Sequence, residues 1–479
     1  MGSRRLEAPS SWIDRLPALT VGGGLVALAL VGYWLPGSDR YYNHFVWQAM
    51  AFLDGQAAID WPVDLGGFPR GNDWMQDVYP LRELTDDPST TGALLPFPPL
   101  PAIVLMPFVA IWGMLTDVRA ISVLLGAIDV GLAWWMLGRL PISRRIRLVT
   151  TIFFGFGTVF WYAAQLGTTW FFAHVVAVTL LLLAVGVALG SDPAADDEVE
   201  ESPSPGALLA SLGAALRRPL ELIDRRQFLA GLLFGLACTA RLTVVFGAPF
   251  FMLVGGGGSW VRRSFSAGLG AVIPVALLLL YNLGTTGHLF HPGYEHQYQL
   301  EARGYSILGY NPDWEIEDPR YLPQNLGIMF LTLPAVMPEH ALGAFGETDD
   351  PVCTEPGASR GLFDEGCPIA IPRTIGMGIF FVSPAFLLAI PALRRGRSRV
   401  VAGAFLAVLV IAIVNLMHFS QGWVQFGYRF SNDFVVFALP LVALGMARRG
   451  GVGLLGSGLV AAAVVINLWG VIWGNILGW

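Results

Sequence analysis

The chain has 479 residues, of which 54% are hydrophobic and only 13% are charged, and its mean hydropathy is +0.58. Soluble domains carry about 25% charged residues, so this composition excludes an ordinary soluble protein and predicts a polytopic helical membrane protein. The formal net charge of -6 owes much to one acidic loop, SDPAADDEVEESPSPG, and therefore indicates no nucleic-acid or acidic partner.

The first apolar run, around Leu16–Trp34, has no small-residue cleavage site after it, so we predict a retained first span. Basic loops stay on the cytoplasmic side of a membrane, which fixes the orientation of the remaining spans. The clusters predicted to be cytoplasmic are Arg4/Arg5/Arg15, Arg144/Arg145/Arg147, Arg217/Arg218/Arg225/Arg226, Arg262/Arg263, Arg394/Arg395/Arg397/Arg399 and Arg448/Arg449.

The apolar segment 96–115, PFPPLPAIVLMPFVAIWGML, is rich in proline. If it crossed the bilayer, the cluster Arg144–Arg147 would fall outside, and each proline removes a backbone donor from a helix. We therefore predict a kinked helix that lies in or dips into the outer leaflet. The alternative is an ordinary second span that violates the charge rule.

The resulting fold class is an all-α polytopic membrane protein with about eleven transmembrane helices and two large outward loops that carry juxtamembrane helices. The predicted spans are 17–36, 119–140, 148–163, 170–190, 227–240, 243–258, 264–284, 374–393, 400–418, 431–447 and 452–472. An N-terminal module (1–284) contains the first outer loop (37–118) and a cytoplasmic loop (191–226). The second outer loop (285–373) and the C-terminal helices (374–479) follow.

The first outer loop opens with PGSDRYYNHFVWQAMAFLDG, whose apolar residues recur at helical spacing. Such a helix lies in the plane of the interface, and Asp39 and His44 stand at its start. Asp39 is the candidate catalytic base, with a helix N-cap as the alternative role. Further along, Asp73 and Asp77 lie in GNDWMQDVYP beside the aromatic residues Trp74 and Tyr79, a pattern suited to a sugar site. The same pattern also occurs in plain loops.

Three arginines, Arg119, Arg241 and Arg429, are predicted at the outward boundary of the membrane. An ionisable group at that depth is expensive and suggests function, and the planar guanidinium binds phosphate. Together they predict a lipid phosphate site, and snorkelling to headgroups is the alternative. All seven histidines fall in or beside segments of the same face, and His174 is counted with the ligand-binding residues. Asp129 lies mid-span and is predicted to be a structural acid.

The second outer loop begins YNLGTTGHLFHPGYEHQYQLEARGY, and Tyr294 and Glu295 are candidate substrate contacts. His291, Glu295 and His296 could form a metal site, but their spacing matches no named motif. No metal ligand is therefore assigned, although a divalent cation is possible. Cys353 and Cys367 share this outward loop and are predicted to form a disulfide. There is no Walker loop, nucleotide fingerprint or GxSxG motif, so nothing indicates ATP-driven transport or a serine hydrolase.

Five features resemble the GT-C fold glycosyltransferases, especially the branch of protein O-mannosyltransferases and aminoarabinose transferases. They are SDRYYNHFVWQAMAFLDG after the first span, the proline-rich FPPLPA, Arg119 at the head of the next span, YN…GxxxxPGY after the seventh span, and GWVQFGYRF late in the chain.

The resemblance implies an inverting transferase of the cell (plasma or inner) membrane with an outward active site. It would take a sugar from a polyprenyl-phosphate donor and pass it to a lipid, glycan or protein acceptor, with Asp39 as base. The chain departs from the branch at Asp39-Arg40, where Asp-Glu is frequent, and at Phe97-Pro98, where Lys-Pro is frequent. Two alternative functions stay open: a transporter or flippase of lipid-linked sugars, and a non-catalytic scaffold of an envelope assembly. The donor sugar, the acceptor, the metal dependence and the oligomeric state are not specified by the sequence.

Overall fold

The structure is a computed structural model that describes residues 15–37, 43–60, 77–87, 89–192, 223–304, 310–343, 346–394, 398–422 and 424–479, with the backbone alone for 300–304. Within these ranges, five helices are long and apolar enough to cross a membrane, or six if one bent pair counts as a span. The protein is a helical membrane protein, and the count of eleven spans remains a prediction.

The elements in chain order are α1 (Ala18–Trp34), α2 (His44–Leu53), β1 (Tyr79–Pro80), α3 (Leu81–Thr85), β2 (Ala93–Leu94), α4 (Leu100–Trp112), α5 (Val118–Leu137), α6 (Arg144–Phe156), α7 (Phe160–Leu166), α8 (Thr169–Ser191), α9 (Arg225–Cys238), α10 (Ala248–Leu253), α11 (Trp260–Thr286), α12 (Gly293–Gly304), α13 (Leu322–Leu331), β3 (Ala335–Val336), β4 (His340–Gly343), β5 (Gly346–Pro351), β6 (Ala370–Ile371), α14 (Ile379–Val382), α15 (Ile390–Arg394), α16 (Arg399–Met417), α17 (Val435–Arg448) and α18 (Gly453–Ile476). Short 3₁₀ turns cover Gly113–Leu115, Leu242–Gly247, Pro319–Tyr321, Pro384–Ala389 and Arg429–Asp433.

Several helices begin at residues whose side chains satisfy the free backbone donors of the first turn. The Asp117 carboxylate accepts from the backbone N–H of Ala120 at 2.9 Å at the start of α5. Asp224 does the same for Gln227 at the start of α9, at 2.9 Å. The sequence thus sets these boundaries locally.

The core surrounds α8, which is buried along most of its length. Helices α5 and α9 pack on α8, and α11 packs on α9. At the last of these contacts the helices approach closely because Gly231 and Gly270 carry no side chain. A Cβ atom on Gly231 would come within 2.0 Å of the Ala267 carbonyl oxygen. Small residues allow such approach in membranes, where packing drives helix association.

The two ends of this bundle carry different polar groups. At one end, where α8 finishes, Asp192 and Arg399 form a buried ion pair of 3.0 Å, and the nearby arginines 225, 226 and 262 line an open cleft. At the opposite end lie the start of α8 and the ends of α9 and α16. The candidate site residues are at that second end.

Two loop helices cover the site end of α8. Phe45 and Ala49 of α2 and Leu105 of α4 share a buried cluster with Phe172 and Val176 in the first two turns of α8. Segment 96–115 is helical over 100–112, and Pro107 lies inside this helix. Because Leu105 belongs to the buried cluster, the helix packs beside this end of the bundle.

Three predicted spans are not single continuous helices. Segment 148–163 is divided between α6 and α7, which meet at an angle of 50°. Segment 243–258 is a 3₁₀ turn followed by the six residues of α10. Segment 374–393 contains α14, a 3₁₀ turn and α15. The loops also carry short antiparallel strand pairs, β1–β2, β3–β6 and β4–β5, which the prediction did not include.

Candidate functional site

The ring of Phe430 lies at the centre of a cationic cluster. The guanidinium carbons of Arg241 and Arg429 lie 5.5 and 5.4 Å from the centre of this ring, and the His174 ring lies 6.4 Å from it. These residues come from three separate regions of the chain. Two of the three arginines singled out from the sequence therefore converge with His174.

Asp433, at the end of the turn that contains Phe430, is the acid of this cluster. Its fully buried carboxylate accepts from Arg241 through Nε at 3.1 Å and through Nη2 at 3.0 Å. Further contacts come from Thr243 Oγ1 at 2.7 Å, Asn415 Nδ2 at 3.3 Å and His174 Nδ1 at 3.0 Å. A buried carboxylate needs such partners to offset its lost hydration.

No carboxylate of the described residues forms such a direct pair with Arg429, although the charges of Asp77 and Asp433 act on it. Its Nε is buried without a hydrogen-bond partner, and its guanidinium faces the rings of Phe171 and Phe430. Gly422, at φ +78°, makes room for it, because a Cβ atom there would lie 2.7 Å from the Arg429 Cζ. Burial, followed by the charge of Arg241, lowers the pKa of Arg429 to about 10, so it remains a cation at neutral pH.

Asp77 provides a second acid near Arg429. Its buried carboxylate accepts from Trp170 Nε1 at 2.7 Å and from Gln297 Nε2. Burial raises the pKa of Asp77 to about 6, against the lowering effects of the Trp170 hydrogen bond, the Arg429 charge and the Gln297 hydrogen bond. A carboxyl group poised near neutral pH is suited to proton transfer.

His44 lies near Trp170, which donates to Asp77, and Tyr294 is close enough to Asp77 to be affected by its charge. The His44 Nδ1 is 2.8 Å from Thr169 Oγ1, and its ring centre is 5.9 Å from that of Trp170. Burial lowers the pKa of His44 to about 3, so it is neutral. Burial raises the pKa of Tyr294, the charge of Arg241 lowers it, and the charge of Asp77 raises it. The Tyr294 ring packs against Phe97 at 6.3 Å.

Two other candidates have different surroundings. Arg119 donates from Nη2 to the Trp34 carbonyl oxygen at 2.8 Å and lies 5.0 Å from the Trp34 ring, so it contributes to the contact between α1 and α5. Glu295 is exposed on α12 and accepts from Gln299 at 2.9 Å. Asp39 and Asp73 lie outside the described residues. Within the described ranges, no three His, Cys, Asp or Glu side chains are grouped to hold a metal ion.

Cys353 and Cys367 are joined in a disulfide, with their Cα atoms 4.5 Å apart. The loop that they close packs on the last helix of the chain. The Phe363 ring lies 6.2 Å from that of Trp473, and Trp473 shares a small buried cluster with Ala335 and Ile371.

Sequence reasoning missed Asp433, Trp170 and Gln297. Asp433 had a usable signal, because it directly precedes the apolar run of α17 and is an acid at the same predicted depth as the three arginines. Gln297 lies one turn beyond Gly293 in α12 and had no such signal. Trp170 was hidden among the many aromatic residues of apolar segments.

No protein-family model matches the chain, and no curated protein matches it. Among solved structures, the chain is similar to the apo form of the Archaeoglobus fulgidus oligosaccharyltransferase, with 12% sequence identity and a TM-score of 0.41. The match covers 98% of this chain and 56% of that structure, so the chain spans little more than half its length. A likeness this weak carries no functional argument.

Proposed function

We propose that the chain is a membrane glycosyltransferase that moves a sugar from a polyprenyl-phosphate donor to an acceptor on the outer face of the cell membrane. The observation that carries the proposal is the pair Arg241 and Arg429 on one aromatic ring, where only Arg241 forms a direct ion pair with a carboxylate of the described residues. The Arg429 guanidinium would bind an anion, beside the apolar helices that a lipid tail would contact.

The two arginines would bind the donor phosphate and its developing charge. Transfer breaks the bond between the sugar and the phosphate oxygen, so the departing lipid phosphate gains a negative charge. Fixed cations in a site poor in water stabilise this charge far better than solvent does. Arg429 is half-buried and remains charged, which is the property that this step requires.

Asp77 is the described acid best suited to act as the base. Its carboxylate would take the proton of the acceptor hydroxyl while the acceptor oxygen bonds to the anomeric carbon and the lipid phosphate departs. The step balances, because Asp77 ends protonated and the phosphate carries the charge that Asp77 lost. Asp39 remains the base expected from the family resemblance, and the variants Asp39→Asn and Asp77→Asn compare the two directly.

The remaining candidates would contact the sugar. Trp170 and Tyr294 offer aromatic faces near Asp77, and His44 and Gln297 offer polar atoms. Such a combination of rings and hydrogen-bonding groups suits a pyranose, whose faces are apolar and whose rim carries hydroxyls. The site would face outward because the opposite end of the bundle is rich in arginine, and arginine-rich loops stay on the cytoplasmic side.

The test uses the full chain in lipid nanodiscs, with a panel of polyprenyl-phosphate-linked sugars as donors. Release of polyprenyl phosphate and affinity for added polyprenyl phosphate are both measured. Arg429→Ala should weaken this affinity about 10- to 100-fold, because a hydrogen bond to a charged group contributes about 1.5–3 kcal/mol.

Arg320→Ala is the matched control. Arg320 is also on the predicted outward side and also pairs with an acid, Asp318, at 2.6 Å, but it is exposed and packs on Trp314. This variant should bind polyprenyl phosphate like the unaltered chain. Unchanged affinity in Arg429→Ala would overturn the proposed function.

A further inference from the structure

Asp433 gathers contacts from widely separated parts of the chain. Arg241 and Thr243 come from the turn after α9, His174 from α8 and Asn415 from α16. The bidentate contact with Arg241 matters most, because it holds both Nε and Nη2 of one planar guanidinium. A plane fixed at two points has little rotational freedom left.

The fixed plane leaves one edge of Arg241 available. No described residue hydrogen-bonds to its Nη1, and the side chain is 21% exposed although Asp433 is fully buried. Asp433 thus lies on the inner side of the guanidinium, and Nη1 is on the more accessible side.

We propose that Asp433 is a positioning residue for anion binding, which acts by fixing the Arg241 guanidinium so that Nη1 faces the lipid phosphate. This inference rests on the proposed function and adds to it the residue that orients one of its two arginines. Arg241 binds the phosphate, and Asp433 acts only through Arg241.

A double-mutant cycle tests the proposal, with polyprenyl phosphate as the probe and its dissociation constant as the readout. Asp433→Asn keeps the size of the side chain and removes its charge. Arg241→Ala and Asp433→Asn should each raise the dissociation constant roughly tenfold or more. The double variant should be no weaker than Arg241→Ala alone, because Asp433 has no role once Arg241 is absent.

Asp192→Asn is the matched control, since Asp192 pairs with Arg399 at the same distance of 3.0 Å and is equally buried at the other end of the bundle. It should lower the melting temperature as Asp433→Asn does, but leave the dissociation constant unchanged. Additive effects of Asp433→Asn and Arg241→Ala would overturn the positioning role alone. If Arg241→Ala and Arg429→Ala both bind the probe normally, the proposed function fails instead.

Arg241→Lys gives an answer even if Asp433→Asn does not fold. Lysine keeps the charge but cannot make the two-point contact with a carboxylate. If orientation by Asp433 matters, Arg241→Lys should lose about as much affinity as Arg241→Ala. Retained affinity would show that charge alone suffices, and the positioning role would be rejected.

Discussion

At the residue scale, Asp77 combines burial with a pKa near neutrality. Replacement with asparagine should lower the transfer rate about 10²–10⁴-fold, the usual contribution of a general base. The base must be ionised, so the rate of the unaltered chain should fall as the pH falls through about 6. Stopped assays over pH 5–8 with saturating donor would show this profile. A rate independent of pH across that range would exclude Asp77 as the base.

The same residue should limit stability. The pKa of Asp77 in the folded chain, about 6, lies above its usual value of 3.8, so the folded state binds the Asp77 proton more tightly than the unfolded state does. The stability gained from this proton is complete below the unfolded pKa and is lost as the pH rises through 6. At pH 7.5 the loss is complete, and ionised Asp77 lowers the free energy of unfolding by about 3 kcal/mol, at about 1.4 kcal/mol per pKa unit. Asp77→Asn should therefore melt at a higher temperature than the unaltered chain at pH 7.5, although it should transfer sugar more slowly.

Asp87→Asn is the control for this measurement, because Asp87 is exposed in the same loop and bonds only locally to Ser89. Its melting temperature should not change. If Asp77→Asn melts lower than Asp87→Asn, the buried carboxylate stabilises the fold, and the predicted penalty for its ionisation is wrong.

The disulfide gives a prediction that does not depend on the function. The chain has three cysteines, and Cys238 is buried and free. Thiol labelling of the denatured, unreduced protein should therefore modify one cysteine per chain, and labelling after reduction should modify three. Replacing both Cys353 and Cys367 with serine should destabilise the fold by roughly 3 kcal/mol in the chain-entropy model for a loop of this length. Three reactive thiols before reduction would contradict the pairing.

Individual residues were predictable where a single physical rule applied to them. Arg241 and Arg429 stand out because charge is rare at membrane depth, and the structure brings them to one ring. Arg119 obeys the same rule, but it bonds to the backbone of Trp34 instead. Nothing in the sequence distinguishes these cases, because a partner 85 residues away is set by tertiary packing.

At the scale of elements, α5 offers a direct test of orientation. Its 20 residues span about 30 Å, the thickness of a hydrocarbon core. Asp117 is the N-cap of α5, and Ser143, the N-cap of α6, lies just beyond the opposite end of α5. Single cysteines at these two positions therefore lose comparable capping contacts.

In a chain with Cys238→Ser, a membrane-impermeant maleimide applied from outside should label position 117 and spare position 143. The expectation follows from the arginines after α5, which are predicted to be cytoplasmic. Labelling at 143 without labelling at 117 would reverse the orientation and move the site to the inner face.

Helices were predicted well where hydrophobicity runs unbroken, as in α8 and α16. The prediction missed the breaks inside other apolar runs. Segment 148–163 reads as continuous apolar sequence, yet the chain bends at Gly157 between α6 and α7. A Cβ atom on Gly157 would approach Phe153 and Ala463 within 3.0 Å, so the bend depends on contact with α18, more than 300 residues further on.

At the scale of the whole molecule, the candidate site joins both halves of the chain. His174 and Arg241 come from the N-terminal module, and Arg429 and Asp433 come from the C-terminal helices. A ligand that bridges them should stabilise the fold. Polyprenyl phosphate at 100 times its dissociation constant should add about 2.7 kcal/mol, seen as a higher melting temperature.

Polyprenol, which has the same tail without the phosphate, should raise the melting temperature much less. Arg429→Ala should remove the difference between the two lipids. Equal stabilisation by both lipids in the unaltered chain would mean that the tail alone is recognised.

The contact of Phe363 with Trp473 constrains the order in which the molecule is assembled during synthesis. Cys353 and Cys367 are 14 residues apart and can be oxidised as soon as their own loop has been translocated. The surface on which that loop rests contains Trp473 of α18, more than 100 residues after Cys367. The closed loop must therefore wait, with Phe363 exposed, until α18 has been inserted. Ribosome-bound chains that end before α18 should carry a formed disulfide in a loop that proteases still cut.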